Sequence, residues 1–204
     1  MKKLKFTLLT VALMVATMAS AQVSLGIKGG LNMSNLLVND DQNTENMKLG
    51  YHVGLAADYE FMPSMAIQTG LFFTTKGATI KNNDGSLEYT RNLMYLQVPV
   101  HFAYKVDVTP GTRVVFHAGP YLAYGVGGSY KTKVGTLNFQ NDKIFGTADG
   151  QYKPFDAGLG LGVGAEFGPM LLDLGWDMGL VNISNTSTSV KNQNAYISVG
   201  YRFN

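Results

Sequence analysis

The scarce side chains with chemistry near neutral pH are three histidines, His52, His101 and His117. His101 and His117 lie in two alternating segments joined by Asp107-Val108-Thr109-Pro110-Gly111. A turn centred on Thr109 sets His101 opposite His117, Phe102 opposite Phe116 and Lys105 opposite Arg113, so polar meets polar and apolar meets apolar. A facing imidazole pair can bind a metal ion or pass a proton. Two ligands make a weak site, however, and Asp58 or Asp173 would have to approach from other segments. The same pair equally serves as hydrogen-bonded filler of a polar interior. His52 and the serines Ser184, Ser187 and Ser189 supply the residue types of acyl transfer, but no Ser/His/acid grouping is set by spacing. No catalytic, cofactor-binding or metal residue is assigned, no cofactor is expected, and the chain reads as a non-enzyme.

The elements that position these residues are strands. From Met94 to Val106 apolar residues alternate with Tyr95, Gln97, His101 and Lys105. From Val114 to Tyr124 they alternate with Arg113, His117 and Tyr121. That period of two marks a strand with unlike faces. Six more segments repeat it: Val23 to Met33, Tyr51 to Phe61, Met65 to Phe73, Phe155 to Phe167, Met170 to Met178, and Ile197 to Phe203. Eight strands result.

Their connections alternate in length. Met62 to Ser64, Asp107 to Gly111 and Gly168-Pro169 are short, the last fitting a type II′ turn. Ser34 to Met47, Ile80 to Tyr89, Gly127 to Lys153, and Asn182 to Asn194 are long and polar. Short turns at one end and long loops at the other are the pattern of an outer-membrane barrel with its turns and termini in the periplasm. The expected fold is all-β, an eight-stranded antiparallel up-and-down transmembrane β-barrel.

A soluble barrel of eight strands is the structural rival, and the two faces decide against it. One face holds glycines at alternate positions of the Phe155 to Phe167 segment. It also holds Lys28, Lys105, Arg113 and Arg202 beside Asp58, Glu60, Asp156, Glu166, Asp173 and Asp177. Eight strands leave an interior just wide enough for side chains, so these charges should neutralise one another as a network. The other face is almost uncharged, an oily belt too large for water but required by lipid. Tyr59, Phe61, Tyr104, Phe116, Phe167, Tyr201 and Phe203 gather at the periplasmic rim as an interfacial girdle. Pro99 and Pro120 break the rule against proline in a paired strand. In this register Pro99 faces Gly119 and Val98 faces Pro120, which predicts a local bulge or widened ladder.

Lys2, Lys3 and Lys5 precede an apolar run from Phe6 to Met18 and the small residues Ala19-Ser20-Ala21. This is the grammar of a secretory signal peptide over residues 1–21, leaving a barrel domain over 22–204. Without the three leader lysines, 13 basic residues stand against 14 acidic ones, so nothing suggests a nucleic-acid partner. The absence of cysteine excludes disulfides and thiolate metal sites.

Tyr95-Leu96-Gln97-Val98-Pro99-Val100 followed by Ala118-Gly119-Pro120-Tyr121-Leu122 resembles the signature hairpin of the PorT-type, porin-family outer-membrane β-barrel proteins of Bacteroidota. The resemblance implies an outer-membrane barrel over the whole mature chain. In one branch of that family it implies membership of the gliding and type IX secretion apparatus. The ending Tyr201-Arg202-Phe203-Asn204 resembles the C-terminal signal read by the barrel assembly machinery, with one Asn after the terminal aromatic.

The working expectation is a monomer embedded in outer-membrane lipid, non-enzymatic, acting in envelope structure or in recognition of a surface ligand or envelope protein. The alternatives are a secretion or gliding component, a lipid-modifying enzyme and a narrow pore. The Gly127 to Lys153 loop carries Tyr130, Phe139, Phe145 and Tyr152 among Lys131, Lys133 and Lys143. That composition suits binding of sugars, a partner or an anionic headgroup, and equally a hairpin protruding past the membrane.

Overall fold

The structure is a computed structural model that describes residues 23–38, 46–81, 87–134, 137–148 and 150–203. The expected leader, the Asn39 to Glu45 part of the first loop and the terminal Asn204 lie outside the described residues. Among the described residues there are nine strands: β1 (Val23–Val38), β2 (Asn46–Met62), β3 (Met65–Lys81), β4 (Leu87–Thr109), β5 (Thr112–Val134), β6 (Leu137–Asn141), β7 (Phe155–Phe167), β8 (Met170–Gly179) and β9 (Val190–Arg202). Eight of them close a ring in which each pairs antiparallel with its neighbours, β5 with β7 and β9 back onto β1. β6 stands apart from the ring as a short strand added to the upper end of β5. Closure matters in lipid because it leaves no unpaired backbone edge.

The period-two pattern sorts the side chains as expected. Leu25, Ile27, Leu31, Leu55, Leu71, Leu122, Leu161 and Val199 point outward and are exposed, whereas Asn32, Asp58, His101, Lys105, His117, Glu166 and Asp173 are buried inside. Aromatics band the outer surface. Phe61 lies 6.2 Å from Phe102, and Tyr201 lies 6.2 Å from Phe203, near the short turns. Tyr124 pairs with Phe155 near the other rim.

The central hairpin differs from the expected register by two residues. Phe102 pairs with Ala118, Tyr104 with Phe116, and Asp107 with Arg113, whereas Lys105 faces Val115. The turn itself is Pro110-Gly111, where proline fixes φ and Gly111 takes φ +81°. Val108 is bulged out beside it, between the Asp107–Arg113 and Thr109–Thr112 pairs. A shift of two leaves every residue on its expected face, which is why the lumen and lipid assignments survive the error.

Pro99 pairs with Tyr121 and Val98 with Leu122, not with Gly119 and Pro120. The β4–β5 ladder lapses between Pro99 and Phe102 without changing register, so the prolines widen the ladder and no bulge forms there. Thr69 Oγ1 donates to the freed Pro99 carbonyl at 2.7 Å. The second β4–β5 bulge is higher up, at Val126, between the Met94–Gly127 and Tyr95–Gly125 pairs.

The strands also run further than the alternation indicated. β1 extends to Val38, β3 to Lys81 and β5 to Val134, so much of each predicted loop is paired backbone rising beyond the apolar belt.

Candidate functional site

Three polar layers fill the barrel, and an apolar cap closes its upper end. At the periplasmic end Lys105 Nζ reaches Glu60 at 2.6 Å, Asp58 at 2.8 Å and Glu166 at 3.0 Å. Arg113 spans Glu60 and Glu166 at 2.7 and 2.6 Å, and Arg202 holds Glu166 at 2.6 Å. Three cations thus meet three carboxylates at contact distance.

The middle layer holds the histidines. His101 and His117 lie diagonally across the hairpin. Their rings stack with centroids 5.1 Å apart, and their Nδ1 atoms are 3.0 Å apart. Asp173 approaches as a third group, accepting from His117 Nε2 at 2.8 Å and from Lys28 Nζ at 2.6 Å. Asp58 does not approach; it is engaged by Lys105 and Gln68. With His117 Nε2–H on Asp173, its Nδ1 accepts from His101 Nδ1–H, which leaves His101 Nε2 a bare acceptor. Among the described residues no three His, Cys, Asp or Glu side chains converge as a metal site.

His52 lies in the lumen, with Nδ1 2.8 Å from Asn32 Oδ1 and Nε2 2.8 Å from Ser198 Oγ. The Asn32 amide nitrogen donates to Thr74 Oγ1 and to the Tyr51 and Thr75 carbonyls, so its oxygen is fixed towards His52. Asn32 thereby fills the opening where the β2–β3 register shifts between Met47 and His52. Ser198, not a loop serine, is the partner of His52. Ser184 bonds Thr186 instead.

The upper layer centres on Lys76, a cation the sequence reading missed. Its Nζ is fully buried 3.8 Å from Asp156 and 3.9 Å from Asp177, and 4.3 Å from the centroid of the Tyr121 ring. The signal was available, because Gln68, Gly70, Phe72, Thr74 and Lys76 continue the alternation of β3 past Phe73. Tyr121 and Asn192 both bond Asp156, and Asn192 also bonds Tyr95. A cavity of about 110 Å³ lies below this layer. His52, His101, Gln97 and Asp177 line its upper part, and Ser24 and Arg202 line the end towards the periplasm.

Above Lys76 the loop before β7 and the loop between β8 and β9 fold inward. Ile144, Tyr152 and Ile183 are buried against Leu36, Leu93, Tyr95 and Val190, and Phe145 meets Tyr95 edge-on at 5.3 Å. The loops are tied together by the Lys153 N–H on the Ile183 carbonyl, 2.7 Å, and by Asn185, which donates to the Gly146 and Gln151 carbonyls. Tyr130 stacks on Tyr152 and donates its hydroxyl to the Gly150 carbonyl. Of the aromatics expected to form a binding surface, Phe145, Tyr152 and Tyr130 therefore build or brace the cap. Phe139 remains exposed on the β5–β6 hairpin, beside the chain that carries Lys131 and Lys133.

An oily closed barrel with a charge-paired interior is a transmembrane protein of the bacterial outer membrane. The chain belongs to the family described as outer membrane protein beta-barrel domain, whose model matches residues 18–185. No curated protein matches it. Solved structures similar to it include Neisserial surface protein A, 11% identical, covering 89% of this chain and 99% of that one, TM-score 0.49. OprG from Pseudomonas aeruginosa is 13% identical over 88% and 95% of the two chains, TM-score 0.49. Ail of Yersinia pestis, solved in complex with the heparin analogue sucrose octasulfate, is 15% identical over 89% and 99%, TM-score 0.45.

Proposed function

We propose that this is a monomeric, non-enzymatic barrel that serves the envelope structurally and recognises a partner or ligand through its extracellular face. The observation that carries this reading is the double closure of the barrel, by the Lys76 layer and by the cap of Ile144, Tyr152 and Ile183. Closure leaves the outer hairpin, with Phe139, Leu137, Lys131 and Lys133, as the accessible chemistry. A conducting pore is disfavoured by the same plug. Acyl transfer is disfavoured at His52 and Ser198, because Asp173 stands directly across the β8–β9 pair from Ser198. A carboxylate there opposes the oxyanion that such chemistry must stabilise.

Crosslinking of a tagged copy in the membrane of its own host, followed by identification of what is captured, tests the reading. A stoichiometric envelope protein or surface glycan bound through the hairpin supports it. Changed lipid A mass on expression, or steady conductance in a planar bilayer, refutes it. The hairpin motif around Pro99 and Pro120 favours a second reading, a PorT-type component of a secretion or gliding apparatus. Loss of secretion on deletion is its test.

A further inference from the structure

Two buried groups of the upper layer lack the hydrogen bonds their chemistry requires. Lys76 Nζ has no hydrogen-bond partner in the protein, and neither has Asp156 Oδ1. Both side chains are fully enclosed. Lys76 Nζ stands 3.8 Å from Asp156 Oδ2, too far for a hydrogen bond, and 4.3 Å from the centroid of the Tyr121 ring. Neither residue lines the cavity below, so water held there does not supply the missing bonds. An amine and a carboxylate oxygen left unpaired in a dry interior are costly.

The two carboxylates beside Lys76 are held differently. Asp156 Oδ2 accepts from Asn192 Nδ2 at 2.9 Å and from the Tyr121 hydroxyl at 3.3 Å, which leaves one oxygen with two donors and the other with none. Asp177 Oδ2, 3.9 Å from Nζ, accepts from Gln97 Nε2, and Asp177 lines the cavity. Asp156 is therefore placed as an electrophile whose carbonyl oxygen is already gripped, and Asp177 as a second carboxylate next to the amine.

We infer that Lys76 and Asp156 condense to an intramolecular isopeptide bond, with Asp177 as the proton relay. The Nζ–Cγ bond forms and the Cγ–Oδ1 bond breaks. The ammonium gives up two protons, and the departing oxygen leaves with them as one water towards the cavity. Asp177 takes one of those protons from Nζ and returns it to the departing oxygen, so it ends as it began and the net charge is unchanged. Charge that builds on Oδ2 in the tetrahedral intermediate meets the Asn192 and Tyr121 donors. In the product Oδ2 keeps both donors as an amide oxygen, the amide N–H has Asp177 as acceptor, and the two unsatisfied groups are gone. Fixed placement raises the effective concentration of amine and carboxyl, and exclusion of water opposes the reverse hydrolysis.

Lys76 lies on β3 and Asp156 on β7, strands that β4 and β5 separate in the ring. The bond ties them across the lumen, directly beneath the cap. This goes beyond the role proposed for the extracellular face and stands or falls separately from it.

The test is mass spectrometry of the wild-type barrel purified from the outer membrane of its own host. Its mass should fall short of the sum of its residues by one water, and digestion should release a branched peptide that joins the Lys76 and Asp156 segments. Lys76→Arg and Asp156→Ala should each restore the full mass. Asp177→Ala keeps both reacting groups and should leave most of the chain unlinked, whereas Asp177→Glu, which keeps a carboxylate, should restore the link. Unboiled gel mobility is read first, so that only folded variants are compared. The inference is overturned by full mass in the folded wild type, or by a water lost from a fragment without Lys76, as a succinimide at an Asp-Gly step would give. A link that forms equally well in folded Asp177→Ala overturns the relay.

Discussion

Replacing Lys105 by methionine tests whether the periplasmic ion network holds the barrel together. The Lys105 side chain is fully buried and touches three carboxylates within 3.0 Å. On its removal Glu60 keeps Arg113, and Glu166 keeps Arg113 and Arg202. Asp58 keeps only the neutral donor Gln68 Nε2 at 2.9 Å. Most of the cost should therefore fall on Asp58, left as a buried carboxylate without a cation. Breaking a buried pair from one side costs about 3–5 kcal/mol, whereas removing both members is often close to neutral. The assay is reversible urea unfolding in lipid vesicles, followed by tryptophan fluorescence of Trp176. Lys105→Met should lose about 3–5 kcal/mol, and adding Asp58→Asn should recover at least about half of that. A single-variant loss below about 1 kcal/mol, the scale of an exposed ion pair, would refute the idea that this network is structural. A double variant no better than the single would show that the cost does not sit on Asp58.

Unboiled protein should migrate differently from boiled protein in detergent gels; identical migration, together with solubility in plain buffer, would sink the membrane fold. Gly175→Ala should destabilise the barrel by about 1–3 kcal/mol, because a Cβ there would lie 2.3 Å from the Tyr196 ring; urea unfolding reads the change. Wild-type protein should give no steady current in a planar bilayer, and a Lys76→Ala/Tyr121→Ala pair should still give none, since the cap of Ile144, Tyr152 and Ile183 closes the barrel above these side chains. Burial raises the Tyr130 hydroxyl above the ordinary tyrosine value, opposed by nearby Arg91. The neutral, donating form is thus favoured in the folded cap, and its stabilisation is fully present below about pH 10 and lost as pH rises further. Hydrogen-exchange protection factors of the cap amides Gly146, Gln151 and Tyr152, corrected for intrinsic base-catalysed exchange and measured from pH 8 upward, check the sign, and Tyr130→Phe should remove their pH dependence.

What the sequence determined by itself was the sorting of side chains. Alternation places Lys28, Lys105, His117 and Asp173 inside and Leu25, Leu55, Phe116 and Leu161 outside, because successive residues of a strand must face opposite ways. A two-residue error in register cannot disturb that sorting, so the barrel and the charged lumen were legible despite a misplaced turn. The turn failed because Pro110-Gly111 is satisfied only if Val108 bulges, and a bulge leaves no periodic mark. Partners were decided by the tertiary structure. His52 meets Ser198 from 146 positions away, and Lys28 meets Asp173 from 145, through strands brought together only when the ring closes. The cap was equally invisible: Ile144 and Ile183 lie in loops with no periodic apolar pattern, and their burial depends on a barrel mouth that neither loop contains. Local sequence sets which way a side chain points, and closure of the barrel sets what it finds there.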